Sequence, residues 1–235
     1  MTINDQERER IEGIYSRREY DIDYEYRDTN PVYLQRVQSI ERATIRGLRI
    51  AGLEKRLSDL KILDFGCGNG KWFGRWISWG ASPSNLAGID LRSDAMAMAA
   101  TCFPSCRFLD IRDNRIPAQD QSFDIVVQNV VFSSILDDDI RHWAAREMSR
   151  VLKQRGYVFW CDFTYNNPNN PNVRAVTRRD LKLLFPGFRT VVMDKIVLAP
   201  PLARRLVPLS WLLAETVETL FPPLRTHVFA VLQKE

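Results

Sequence analysis

The stretch Lys61-Ile62-Leu63-Asp64-Phe65-Gly66-Cys67-Gly68-Asn69-Gly70-Lys71 decides the fold. Its first half is a short, nearly continuous apolar run, as a strand buried on both faces of a parallel sheet requires. Three alternate glycines then let the chain turn tightly and let its backbone approach a ligand. Residues 70–79 carry a helical pattern, and the first N–H groups of a helix have no partners within it. A dinucleotide fingerprint would place its third glycine at position 71, where Lys71 stands, and no neighbouring glycine or alanine repairs that spacing. A nicotinamide site is therefore disfavoured.

Outward from this loop the same alternation repeats. Short apolar runs occur at 85–90, 106–110, 123–129 and 156–163, with helix candidates at 93–101 and 137–153 between them. In the last of these Ile140, Ala144, Met148, Val151 and Leu152 share one face, and Asp137, Asp138 and Asp139 sit where negative charge suits the helix dipole. A short helix at 177–185, a strand at 188–199, a helix around 206–221 and a last strand at 225–234 complete the pattern. Strand–helix alternation of this kind predicts an α/β fold, a doubly wound sheet of seven strands. Upstream, 1–57 is rich in charge and tyrosine and ends in a helical stretch, Tyr33 to Leu57. The expected division is a helical N-terminal cap over 1–57 and a catalytic domain over 58–235.

Asp90 ends the second strand, twenty residues after Gly70. A carboxylate there is suited to accept hydrogen bonds from both hydroxyls of a ribose. A helix N-cap is its plainer alternative, a role that Ser93 fills better. DFGCGNG followed by GID, FLDIRD, SFDIVVQN and RVLKQRGYVFW resembles the class I S-adenosylmethionine-dependent methyltransferases, over roughly 60–163 by motif. That resemblance implies a Rossmann-like, mostly parallel sheet with an antiparallel last strand, and S-adenosyl-L-methionine as cofactor. It places Asp64, Gly66, Gly68 and Gly70 against the methionyl part and the ribose, Asp90 on the ribose hydroxyls, and Leu91 beside the adenine. Asp110 and Ile111 would read the adenine edge, and Gln128 would lie near the methyl donor. Arg112 and Asp113 lengthen the third loop by two residues, so a second register sets Asp113 at the adenine instead.

Methyl transfer is an in-line displacement, helped by holding a nucleophile close and aligned. An oxygen nucleophile also has a proton to lose. Asp162 is the candidate base, because ligands of open α/β sheets bind at the carboxyl ends of strands; capping of the following loop is its equal alternative. His142 falls on the polar side of its helix, and His227 reads as structural. For the acceptor, Tyr24, Tyr33 and Arg36 of the N-terminal segment and Tyr165 and Asn166 after the fifth strand supply rings and paired donors and acceptors. Leu209, Leu212, Leu213, Val217 and Leu220 share a helical face with Glu215 and Glu218 opposite. A membrane-surface helix would favour basic residues on its polar face, so packing of the leucines over the sheet is expected.

Composition is ordinary for a globular protein: 45% hydrophobic and 26% charged residues, with a net charge of +4, too small on its own to argue for nucleic acid or anionic lipid. The four cysteines have neither disulfide nor zinc spacing, so no metal is expected. MTINDQERER lacks a signal-peptide core and no apolar run is long enough to span a bilayer, which points to the cytoplasm. The expected activity is methyl transfer to a small-molecule or sugar-containing acceptor at oxygen, by a monomer or homodimer. RNA methylation is the rival, without a concentrated basic stripe in its favour. A cofactor-binding but catalytically silent partner subunit is a third reading.

Overall fold

A computed structural model of the chain describes residues 7, 9–14, 27–111, 115–167 and 170–235. The sheet has seven strands: β1 (Ile62–Phe65), β2 (Leu86–Ile89), β3 (Arg107–Phe108), β4 (Phe123–Asn129), β5 (Leu152–Phe163), β6 (Phe188–Leu198) and β7 (Arg225–Lys234). Their order is β3-β2-β1-β4-β5-β7-β6. The first five run parallel, and β7 lies antiparallel between β5 and β6. This is the expected doubly wound sheet with its antiparallel last strand. The strand order reverses between β1 and β4, so the crevice at their carboxyl ends is where such a sheet binds ligands.

Strand residues alternate between two cores. Leu63, Phe65, Val126, Val158 and Trp160 face one side, against helices α4 (Asp138–Val151) and α5 (Arg178–Leu184). Ile62, Ile125, Val127, Phe159 and Cys161 face the other, against α1 (Pro31–Ile50) and α2 (Lys71–Ser78). The helix α3 (Ser93–Cys102) follows β2. Helix α1 starts at Pro31 behind Asn30, whose side chain accepts from the Val32 and Tyr33 N–H groups. It ends at Ile50, earlier than the expected Leu57, and Val37, Ile40 and Leu48 are buried. Each such side chain contributes about 1.5–3 kcal/mol. Gly47 permits close approach to the sheet: a Cβ there would lie 2.8 Å from Val231.

The C-terminal helical region departs from expectation. Two helices replace one, α6 (Pro200–Leu209) and α7 (Trp211–Leu220), because Ser210 is extended and its hydroxyl accepts from the Leu213 N–H. The apolar face is also inverted. Leu209, Leu212, Leu213 and Leu220 are exposed, whereas Ala214 and Glu218 are buried. Glu218 turns inward because Gln35 Nε2 and the Ser39 hydroxyl of α1 both donate to its carboxylate, as does the Val197 N–H. Three donors offset much of the desolvation that would otherwise keep a carboxylate outside. Among the described residues no helix is long and apolar enough to cross a membrane.

Candidate active site

The loop after β1 is fixed by the neighbouring strand. The Gly66 and Cys67 N–H groups both donate to the Ile89 carbonyl, at 2.7 and 3.0 Å. Gly66 has φ +80°, and a Cβ on it would sit 2.3 Å from Val131. Gly68 has φ +51° with nothing within 4 Å of the Cβ position, so this part of the loop faces open space. Its N–H donates to Asp90 Oδ2 at 2.8 Å, and the Arg92 N–H donates to Asp90 Oδ1 at 2.9 Å. Asp90 thus ties the glycine loop to the end of β2 and keeps lone pairs for a further donor. The Ser93 cap does not form: α3 already begins at Ser93, Arg92 holds the capping position, and no side chain bonds there.

Beneath the loop Asp64 is buried, and its Oδ2 has no hydrogen-bond partner. Burial, with the Asp90 charge adding to it, pushes the carboxyl up to about 7. An orphaned buried carboxylate beside a glycine cradle suits a cationic ligand with hydroxyls, because the cation would offset the cost of ionising it. Gln128 is fully buried and bridges the end of β4: its Nε2 donates to the Cys161 carbonyl and its Oε1 accepts from the Val131 N–H. That bridge holds a turn in which Val130, a β-branched residue at φ +59°, lines the crevice.

A cavity of about 1190 Å³ occupies the crevice. Gly66, Gly68, Asp90, Leu91 and Ile111 line it, together with Tyr33, Arg36, Tyr165 and Asn166. The structure therefore brings expected cofactor-binding and acceptor-binding residues to one space. Asp64, Gly70, Asp110, Gln128 and Asp162 stand outside its wall. Asp110 is exposed, whereas Asp162 is fully buried beside β7. Asp162 Oδ2 accepts from the Ser133 N–H and Oδ1 from the Phe163 N–H, so it fastens the turn at Phe132–Ser134. Its carboxyl is pushed up to about 6 by burial, which the two N–H groups and Arg141 partly counter. The catalytic assignment meets a geometric obstacle: the carboxylate is spent on backbone and does not reach the cavity. Tyr24, Arg112 and Asp113 lie outside the described residues.

His142 is exposed and its Nδ1 meets the Asp138 carbonyl. His227 is fully buried against the Phe163 ring, and burial followed by the Arg36 charge brings it down to about 3, so it stays neutral. Sequence reasoning missed Glu7, Ile11, Lys71, Trp72, Trp143 and Arg204 as wall residues. Glu7 and Arg10 dock the N-terminal segment, with Glu7 accepting from the Leu136 N–H and Arg10 donating to the Ser134 carbonyl. Lys71 and Trp72 directly follow the glycine loop, and that adjacency was a usable signal.

The sheet order, the glycine loop and Asp90 are those of the Rossmann-like methyltransferase fold, and that likeness implies S-adenosyl-L-methionine as the cofactor. Residues 62–156 match the family described as "Methyltransferase domain". Among curated proteins, the ubiquinone/menaquinone biosynthesis C-methyltransferase UbiE of Campylobacter jejuni is 29% identical over 110 residues, which is 45% of this chain and 46% of that protein. The match thus spans about half the length of these relatives. Among solved structures, a methyltransferase from Mesorhizobium loti is similar at TM-score 0.59 and 16% identity, over 82% of this chain and 98% of the other. One from Methanosarcina mazei is similar at TM-score 0.55 and 20% identity, over 75% and 93%. At those identities the structures establish the fold alone.

Proposed function

We propose that the chain transfers a methyl group from S-adenosylmethionine to a small-molecule acceptor, at an oxygen of a hydroxylated ring. The observation that carries this is the single cavity shared by Gly66, Gly68 and Asp90 with Tyr33, Arg36 and Tyr165. Gly66 and Gly68 give the cofactor backbone access, Asp90 accepts from its ribose, Leu91 and Ile111 flank its adenine, and Asp64 lies beneath its cationic end. Gly70 and Gln128 shape these loops from behind, and Asp110 stands exposed just before Ile111. Of the described residues before 58, those of α1 are integral to the core, and Glu7 and Ile11 close the cavity as a cap. When bound, the cofactor supplies an electrophilic methyl on a positively charged sulfur.

The wall chemistry narrows the acceptor. Its carboxylates among the described residues are Glu7 and Asp90, both already accepting backbone N–H groups. Glu7 is held below its ordinary value: burial raises it, but Arg10 and the Leu136 N–H outweigh that. Neither is a ready base, which favours an acceptor hydroxyl that is itself acidic, as a phenol or enol is. Arg36 and Lys71 stand over the Tyr33 ring, at 4.9 and 5.4 Å from its centre, and supply positive charge for such an anion. Trp72, Trp143, Phe163 and the Tyr165 ring offer flat apolar surface. Asn166 Oδ1 already accepts from the Ala175 N–H, leaving only its Nδ2 donors, so the rings dominate this wall and favour an aromatic acceptor over a sugar-containing one. A second reading, attack by a ring carbon of the same anion, is favoured by the name of the Campylobacter relative.

The test is incubation with methyl-labelled S-adenosylmethionine and an extract separated into metabolites, glycans and lipids, RNA, and protein, with Asp90→Ala as the blank. Label in a small-molecule fraction, absent with the variant, is the expected result, and a methoxy or a ring-methyl signal in the product decides between oxygen and carbon. Label in RNA or protein alone would overturn the proposal. Cofactor binding by calorimetry without transfer to any fraction would favour the silent-subunit reading.

A further inference from the structure

The inverted face of α6 and α7 leaves a large apolar surface uncovered. Leu209 and Leu212 are 75% and 77% exposed, and Leu220 and Phe221 are 66% and 52% exposed. Leu212, Thr216, Thr219 and Leu220 follow helical spacing along the outer side of α7, with Leu213 beside them. Pro208, Pro222 and Pro223 are exposed at the ends of this ridge, and Leu224 continues it. Soluble monomers rarely leave so many large apolar side chains together without a use for them.

The charges around the ridge have one sign. Glu218 is buried in its bonds with α1, and Glu215 pairs with Arg42 at 2.8 Å. Those are the only two ionisable residues within α7. Arg204 and Arg205 on α6 are exposed, and neither has an ion pair among the described residues. Apolar side chains flanked by uncommitted arginines match the boundary of an anionic bilayer, where leucines enter the acyl region and guanidinium groups meet phosphate. The helices are 10 residues each. At about 1.5 Å per residue either is near 15 Å long, enough to lie in the interface and too short to span it.

We propose that α6 and α7 form a docking face that seats this chain on anionic lipid. The same α6 walls the cavity with Pro200, Pro201, Ala203 and Arg204. Docking through this helix pair therefore brings one wall of the cavity to the membrane surface. Resting on the methyl-transfer reading, the consequence is that the acceptor is an amphiphile taken from the bilayer, its hydroxylated ring in the cavity and its apolar part toward the lipid.

The test is co-sedimentation of the full chain with phosphatidylcholine vesicles, with and without phosphatidylglycerol. Binding is expected to the anionic vesicles and to weaken with salt. The double variant Leu212→Glu, Leu220→Glu should lower the partition at least tenfold, because each side chain would otherwise leave water on docking. Arg205→Glu should lower it about fivefold or more, the effect of one basic group at an anionic surface. Both sets change exposed side chains, so melting temperature and calorimetric cofactor affinity should stay at wild-type values. Wild-type protein that remains in the supernatant, or variants that sediment like wild type, would overturn the docking face. So would a concentration-dependent mass in sedimentation velocity that the double variant abolishes, since that would identify a second copy as the occupant. Vesicle binding requires no turnover, so its failure is separable from failure of the methyl-transfer reading.

Discussion

Replacing Asp64 by Asn tests the electrostatics under the glycine loop. Asp64 is buried with Oδ2 unpartnered, and burial plus the Asp90 charge pushes it up to about 7. In the unfolded chain it titrates near its ordinary value of about 3.9. Its folded value is raised, so its contribution to stability is fully present below about pH 4 and is lost as pH rises through about 7. The gap corresponds to about 4 kcal/mol, an order-of-magnitude figure for a group out of contact with solvent. Asn carries no proton to release, so the variant's stability does not follow this curve. Any fixed cost of leaving the Asn amide unsatisfied, about 1–3 kcal/mol, shifts the variant equally at every pH. The informative quantity is therefore the stability of Asp64→Asn minus that of wild type, which should grow by about 4 kcal/mol between pH 4 and pH 8. Asp162 is also raised, but it is present in both proteins and cancels. Urea unfolding followed by tryptophan fluorescence at unit steps of pH measures the difference directly. Calorimetry at pH 8 should show the variant binding S-adenosylmethionine more weakly, the opposite sign to its stability. Parallel stability curves for the two proteins would refute the reasoning.

Gly66→Ala should cost about 2–5 kcal/mol, the sum of left-handed strain and displacement of Val131, which lies 2.3 Å from the new Cβ. Gly68→Ala, with open space at its Cβ, should cost only about 1–2 kcal/mol yet weaken cofactor binding at least tenfold; equal melting temperatures for the two would contradict the loop geometry. Asp162→Ala strands the Ser133 and Phe163 N–H groups, so chemical denaturation should report a loss of about 2–4 kcal/mol. The pH profile of its residual methyl transfer should keep the wild-type shape, and a lost limb would instead mark Asp162 as the base. Glu218→Ala leaves Gln35 and Ser39 without their acceptor, and the Val197 N–H with only the Ser39 hydroxyl, and should destabilise by about 2–4 kcal/mol, whereas Glu215→Ala, on a partly exposed pair with Arg42, should cost under about 1 kcal/mol in the same assay.

The sheet and the cofactor half of the site were legible because their causes are local. Strands such as Phe123–Asn129 and Arg225–Lys234 fall where the apolar runs fall, since a strand buried on both faces has little else in it. The glycine loop and Asp90 are each next to a strand end, so their spacing in the chain fixes their spacing in the crevice. Element ends were less legible. Helix α1 stops at Ile50 because the chain turns at Gly52, where φ is +70°, and the apolar residues beyond pack outside it, Leu57 at the start of a separate 3-10 turn, Leu57–Asp59. Strand β5 is assigned from Leu152, but its register with β4 jumps from Leu152 to Tyr157, with Arg155 at φ +61° in the interruption. The expected strand start at 156 and the observed irregular strand from Leu152 are two descriptions of that feature.

The wall residues Glu7, Trp143 and Arg204 and the outer face of α7 were not legible for the opposite reason: their causes lie far away in the chain. Counting leucines on a helical wheel assigns the burying face by composition, which is right when nothing competes for the space. Here Gln35 and Ser39 of α1 and the N–H of Val197 converge on one point over the sheet, and only an acceptor can occupy it. Val197 sits at φ +63°, a backbone state a β-branched residue adopts only under constraint, and it also lines the cavity. Glu218 satisfies these donors, and once it turns inward the geometry of α7 carries Leu212 and Leu220 outward, because they share a face opposite Ala214 and Glu218. One buried carboxylate, held by three donors from two other elements, thus sets the rotation of the helix, shapes the cavity wall at Val197 and exposes the surface assigned to lipid. If that causal order is right, Glu218→Ala should lose stability and vesicle binding together, while Leu212→Glu with Leu220→Glu should lose vesicle binding alone.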